Sequence, residues 1–176
     1  MKIKDKKYEF WRYRIFFITW LSYFGFYLTR KSFSVAKIGM AQDPDILLTK
    51  IQMSQIEAAY LIAYAVGQFV WGVFGDKFGP RRILLTGLLC SVLVAVVMGL
   101  SSTVILFGVF FCIQGLCQST GWAPLVKNMS YWFSQEERGT IMGWWATNYA
   151  IGGFIASPFA GFCADYFTDW RYGFFA

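Results

Sequence analysis

Five stretches of this sequence are predominantly apolar, at roughly 15–38, 54–75, 83–100, 104–132 and 139–163. An α-helix needs about 20 such residues to cross a bilayer. A sixth apolar segment starts at Tyr172 and covers 172–176. Only 15% of the 176 residues are charged, where a soluble domain carries about a quarter, so the polar side chains cannot cover a water-facing surface. The expected fold class is an all-α membrane protein, a bundle of about five transmembrane helices behind an N-terminal tail at 1–14. The net charge of +6 does not point to nucleic acid, because the charges gather at the ends of the apolar segments.

Those ends give the orientation. Lys2, Lys4, Lys6, Lys7, Arg12 and Arg14 precede the first span, Lys77, Arg81 and Arg82 follow the second, and Arg138 follows the fourth, ten basic residues on one side. The opposite loops carry Lys50 and Arg171 with Asp43, Asp45, Asp165 and Asp169. Cytoplasmic loops are enriched in Lys and Arg. The N-terminus is therefore expected in the cytoplasm of a multi-pass protein of the cell membrane, the bacterial inner membrane.

Local signals add detail. Ser54 and Glu57 have the spacing of a capping box opening the second span; a role for Glu57 in proton coupling is the alternative. Gly139 with Gly143, and Gly152 and Gly153 with Gly161, offer small faces for close helix packing. Asn128-Met-Ser130 matches a glycosylation triplet but falls at the cytoplasmic end of a span. Cys90, Cys112, Cys117 and Cys163 form no CxxC pair and read as buried free thiols. The sequence has no histidine, which leaves no imidazole metal site or triad, and no nucleophile–base pair or cofactor motif is present. An enzyme is not expected, and no cofactor. The basic start leads into an aromatic span without a cleavable signal.

Between the second and third spans stands Gly72-Val-Phe-Gly-Asp76-Lys77-Phe-Gly79-Pro80-Arg81-Arg82. Gly72 allows two helices to approach, Asp76 can face basic side chains or a helix N-terminus, and Gly79 and Pro80 make a tight turn. Arg81 and Arg82 hold the next helix at the interface. The loop resembles the signature of the Major Facilitator Superfamily, with Pro80 in place of the usual basic residue after the second glycine. The resemblance implies a gating loop and the N-terminal part of a six-helix domain.

Ionisable groups at membrane depth are costly and usually functional. Arg30 and Lys31 interrupt the first span about 23 Å from Ile15 at 1.5 Å per residue. Two readings stand. They snorkel at the outer interface, or a longer helix continues to Ile38 and turns them into a cavity. In the second case a guanidinium suits a phosphate or carboxylate bound through two parallel hydrogen bonds. Tyr23 and Tyr27 lie on nearly the same helix face. Tyr64 and Gln68 share a face of the second span. In the fourth span Gly121 and Pro124 loosen the helix beside Gln118, Trp122 and Lys127. Lys127 is either a second cation on the pathway or a snorkelling one.

Arg30-Lys31-Ser-Phe33, Tyr64 with Phe69, Gly121-Trp122-Ala-Pro124 and Trp132-Phe-Ser-Gln-Glu136-Glu137-Arg138-Gly139 together resemble the organophosphate:phosphate antiporter family over essentially the whole chain. That family exchanges glycerol 3-phosphate, hexose 6-phosphates or phosphoglycerates for inorganic phosphate. The resemblance implies that Arg30 binds phosphate, that Tyr23, Tyr27, Tyr64 and Trp122 surround the pocket, and that Lys127 is a basic position beside it. Lys31, Gln68, Asn148 and Tyr149 are further pathway positions. Two departures lower the positive potential: Gln68 replaces a lysine and Tyr149 a histidine of the glycerol-phosphate type. The resemblance also implies a missing C-terminal half carrying a partner arginine, so that this chain by itself is not expected to transport. A sugar-phosphate sensor of the same fold and a proton-coupled organic-anion symporter are the alternatives.

Overall fold

The computed structural model of the protein describes residues 6–44, 46 and 48–175; Lys2, Lys4 and Asp45, among the residues that set the expected orientation, lie outside them, as does Ala176. Six α-helices carry the described residues: α1 (Lys6–Met40), α2 (Lys50–Phe78), α3 (Pro80–Leu100), α4 (Val104–Gln118), α5 (Trp122–Trp132) and α6 (Gln135–Tyr166). A 3-10 turn at Trp170–Phe174 follows.

Three spans, α2, α3 and α4 continued by α5, are long and apolar enough to cross a membrane. Helices α1 and α6 are long as well, at 35 and 32 residues. Tyrosine, tryptophan and glycine lower their hydropathy, and α1 carries Arg30 and Lys31. Their outer faces continue the apolar exterior: Phe17 is 70% exposed and Phe154 79%, beside Phe69 at 81% on α2 and Ile105 at 78% on α4. A belt of this kind is a surface for lipid, not for water.

Helix α1 packs along α6, α2 along α4, and α3 lies behind α4. Two apolar clusters fill the interior. One gathers Tyr23, Phe26, Leu84, Leu125, Met129 and Trp145. The other gathers Phe33, Met40, Met53, Met98, Phe107 and Trp170. A polar layer separates them, with Gln114, Gln118 and Ser91 all buried.

Several elements differ from the sequence-based expectation. Helix α1 begins at Lys6 rather than near residue 15, because its first turns dock on the α5–α6 junction. There Tyr8 donates to the Trp132 carbonyl at 3.1 Å. Helix α2 opens at Lys50, not at Ser54. Thr49 is its N-cap and Gln52 completes the capping box; the Ser54 hydroxyl donates back to the Lys50 carbonyl. Glu57 is thereby freed from capping and pairs with Lys37. The fourth span breaks in two at 119–121. Added Cβ atoms at Gly139 and Gly143 would meet nothing within 4 Å, so these glycines make no close packing, whereas one at Gly152 would stand 2.9 Å from Tyr27. Gly72 is likewise roomy, at 4.0 Å from Ala123. The tight approach is one turn on, where Gly75 meets Pro124 at 3.2 Å. The cysteines are free thiols, but Cys90 is exposed and the others only half-buried, settings that a thiol tolerates as readily as a core. At the far end the chain forms the 3-10 turn instead of starting an α-helix at Tyr172.

Ionic contacts tie both ends of the bundle. At the α1 N-terminus Arg12 bridges Glu9 and Glu137, and its guanidinium lies 4.7 Å over the Phe133 ring. Glu137 also accepts from the Ser134 amide at 3.0 Å, closing the first turn of α6. The Arg12 hydrogen bond, helped by that amide, holds the Glu137 carboxyl down at about 2. A depressed carboxylate stabilises the fold above its unfolded value of 4.5 and loses that contribution as pH falls through about 2. The melting temperature of the parent protein should therefore exceed that of Glu137→Gln at neutral pH, with the gap closing between pH 4.5 and about 2. A gap that stays constant over this window would contradict the assignment. At the other end Lys37 pairs with Glu57. Arg171 lies 3.6 Å from Asp43, to which the Trp170 indole also donates at 2.9 Å.

Candidate anion site

Helical spacing brings Tyr23, Tyr27 and Arg30 onto one face of α1, because positions three and four apart are neighbours on a helix. Tyr60 and Tyr64 stand four apart on α2. The third wall comes from the α4–α5 break. There the Ser119 and Thr120 hydroxyls donate to the carbonyls of Leu116 and Cys117, competing with the helical ladder. Pro124 has no N–H to return to the Thr120 carbonyl, so the chain tightens before the ladder resumes from Leu125 to Gly121 at 3.2 Å. The break leaves Gln118 on one side and Trp122 on the other. Gly115 permits the approach of α4 to α2, since a Cβ there would stand 2.5 Å from the Tyr60 carbonyl.

Arg30 sits half-buried at the centre. Its Nε donates to the Tyr60 hydroxyl at 2.6 Å and to Gln118 Oε1 at 2.9 Å, and its Nη1 to the Tyr27 hydroxyl at 3.2 Å. The Arg30 Cζ lies 5.0 Å from the ring centre of Tyr27, 5.3 Å from Tyr60 and 4.9 Å from Tyr64. Tyr64 is in turn 3.2 Å from the Tyr23 hydroxyl. Trp122 closes the site toward the Asp76 end, 5.7 Å from Tyr23 and 5.6 Å from Trp145. Among the described residues no carboxylate pairs with Arg30; every ion pair lies near the ends of the bundle. A half-buried cation ringed by neutral phenols and an amide is electrostatically open to an anion, and guanidinium matches the geometry of phosphate or carboxylate.

The other sequence-predicted positions separate. Tyr149 stands across from Tyr27, ring centres 6.4 Å apart, and belongs to the same face. Asn148 is buried behind it and donates to the Trp145 carbonyl at 2.6 Å. Lys31 lies along α6 against Gly153. Gln68 lies half-buried a turn from Tyr64 on α2. Phe69 faces outward. Lys127 is not beside Arg30: it is exposed and pairs with Asp76, because the break turns α5 toward the α2–α3 loop. That loop is built as its sequence suggests. Gly79 adopts φ 83°, a conformation that glycine takes without strain, and Pro80 opens α3. Lys77, Arg81 and Arg82 are exposed around it.

The family model for the Major Facilitator Superfamily matches residues 15–176. The chain belongs to the Major Facilitator Superfamily. Among its relatives, a "Probable hexose phosphate transport protein" of Chlamydia muridarum is 38% identical over 170 residues, which are 97% of this chain and 37% of that protein. The "Glycerol-3-phosphate transporter" of Bacillus subtilis is 34% identical, covering 97% of this chain and 39% of its own length. The "Membrane sensor protein UhpC" of Escherichia coli is 30% identical, covering 96% and 38%. The chain thus spans well under half the length of these relatives.

Within this superfamily member, sequence reading missed two groups of the site, Tyr60 and Gln118 as direct partners of Arg30. Each was accessible as a helical neighbour, Tyr60 four residues before Tyr64 and Gln118 four before Trp122. Behind them Thr29, Ser91 and Gln114 continue the polar layer into α3 and α4.

Proposed function

We propose that this chain supplies the N-terminal helices of a secondary transporter for phosphorylated organic anions (glycerol 3-phosphate, a sugar phosphate or a phosphoglycerate), exchanged for inorganic phosphate by alternating access. The observation that carries this is Arg30, a guanidinium set among neutral hydrogen-bonding groups with its Nη2 unengaged among the described residues and no carboxylate in reach. The phosphate-ester specificities in the names of the relatives support the same ligand class. Facilitator transporters place substrate between two halves, so the second wall of the site and its further cation belong to a C-terminal half. The basic excess at the Asp76 end supports a cytoplasmic position for that end and the N-terminus, in a bacterial inner membrane.

The Asp76–Lys127 pair fits a gate. It joins the last turn of α2 to α5, the helix that carries Trp122 to the site. Exchange of labelled inorganic phosphate for each of the three esters, in proteoliposomes holding both halves, tests the proposal. Uptake of at least one ester that depends on internal phosphate is expected, and no exchange of any would refute it. The similarity to a membrane sensor favours one second reading, in which ester binding at Arg30 signals without flux; binding without exchange in the same proteoliposomes would select it. Proton symport through Glu57 gains no support, since Glu57 is tied to Lys37, about 10 Å along α1 from Arg30 at 1.5 Å per residue.

A further inference from the structure

Arginine can hold an oxyanion by two different edges. The side edge uses Nε and one terminal nitrogen, and the end edge uses both terminal nitrogens. The guanidinium has five N–H donors, one of them on Nε. Here the single Nε–H is shared by two acceptors, the Tyr60 hydroxyl at 2.6 Å and Gln118 Oε1 at 2.9 Å. One Nη1 hydrogen goes to Tyr27 at 3.2 Å. The second Nη1 hydrogen and both on Nη2 remain without an acceptor among the described residues.

The acceptor at Nε is itself fixed. Gln118 is 1% exposed. Its Oε1 also accepts from the Tyr60 hydroxyl at 2.8 Å. Its Nε2 donates to Thr29 at 3.1 Å and to Ser91, which is fully buried, at 3.4 Å. Thr29 and Ser91 are joined at 2.8 Å, and Gln114 donates to Ser91 at 2.8 Å. The amide cannot flip without placing its NH2 against the Arg30 Nε–H and giving up both donor contacts. Three helices, α1, α3 and α4, therefore determine which way Oε1 points.

We propose that Gln118 is a positioning residue for the anion site: by occupying Nε together with Tyr60, it closes the side edge of Arg30 and presents the Nη1–Nη2 edge to the ligand. This rests on the reading of Arg30 as the anion-binding cation. A phosphate is then gripped end-on, along the direction of the arginine side chain. The depth of the bound phosphoryl group is set by Gln118 rather than by the length of the arginine alone.

A mutant cycle tests this on the transporter holding both halves, in lipid nanodiscs, with labelled inorganic phosphate as the probe and thermal melting as the check on folding. Gln118→Met keeps an unbranched side chain of similar length and removes the acceptor. Phosphate affinity is expected to fall about tenfold, because the Nη1–Nη2 edge is no longer held toward the ligand. In an Arg30→Lys background the same change should have no further effect, since lysine has no Nε–H and no edge to turn. Tyr60→Phe removes the other acceptor at Nε and should follow the same pattern; it decides the question by itself if Gln118→Met does not fold. Equal losses in both backgrounds would overturn the proposal, because Gln118 would then act independently of Arg30. If Arg30→Lys weakens phosphate binding while Gln118→Met does not, the anion site stands and the positioning role falls. If neither change alters binding, the functional reading itself falls.

Discussion

Arg30→Lys is expected to lower the apparent affinity for phosphate and its esters by roughly 30- to 150-fold, about 2–3 kcal/mol for the hydrogen bonds to a charged group that lysine cannot reproduce. The charge is kept, so simple electrostatics predicts little change; the loss comes from geometry. Lysine is a point donor without a planar fork. It cannot satisfy Tyr60, Gln118 and Tyr27 and still offer two parallel N–H groups to an oxyanion. Arg30→Gln, which removes the charge as well, should abolish exchange. The measurement is phosphate exchange against external substrate concentration, and the defect of Arg30→Lys should appear mainly in the concentration dependence. Exchange by Arg30→Lys indistinguishable from the parent would exclude a bidentate contact at this residue.

The parts of this fold that were legible in the sequence are those that lipid dictates. Apolar runs marked the three spans formed by α2, α3 and α4 with α5, and a charge inside the apolar run of α1 marked Arg30 without any knowledge of its neighbours. The helix ends were less legible. Lys6 to Arg14 and Gln135 to Glu137 are polar, and polar helix ends look like loops until their partners are known; here Arg12 and Glu137 are partners across 125 positions. The same limit left Lys127 open. Its distance from the end of the span suited either a pathway or an interface, and only the meeting with Asp76, 51 positions away, separates the two. Gln118 and Tyr60 were within reach of a helical-neighbour argument, yet a lone glutamine or tyrosine in an aromatic-rich helix does not announce which face it takes. Glycine spacing misled in a different way. Gly139 and Gly143 have the small-residue pattern and would meet nothing within 4 Å, while Gly115, spaced the same way from Ser119, makes one of the closest helix contacts.

Gly115→Ala is accordingly expected to destabilise the bundle although alanine is the better helix former. In an exposed helix the change gains about 1 kcal/mol from propensity. Here the new Cβ would stand 2.5 Å from the Tyr60 carbonyl oxygen, 3.2 Å from the Tyr64 amide nitrogen and 3.3 Å from the Ala63 Cβ. Two of these atoms are backbone and the third is bonded to it, so no rotamer change relieves the clash and α2 must move as a unit. Overpacking of this kind costs about 1–3 kcal/mol, or more where the neighbours cannot yield. Tyr60 and Tyr64 travel with α2, so the shift also loosens the cage around Arg30. The melting temperature should drop, and phosphate affinity should fall in the fraction that remains folded. Gly143→Ala is the matched control: it is a helical glycine with nothing within 4 Å, and it should be neutral or gain up to about 1 kcal/mol. Equal effects of the two substitutions on melting would show that the α2–α4 approach at Gly115 is not as close as the structure has it, and the placement of Tyr60 on Arg30 would fall with it.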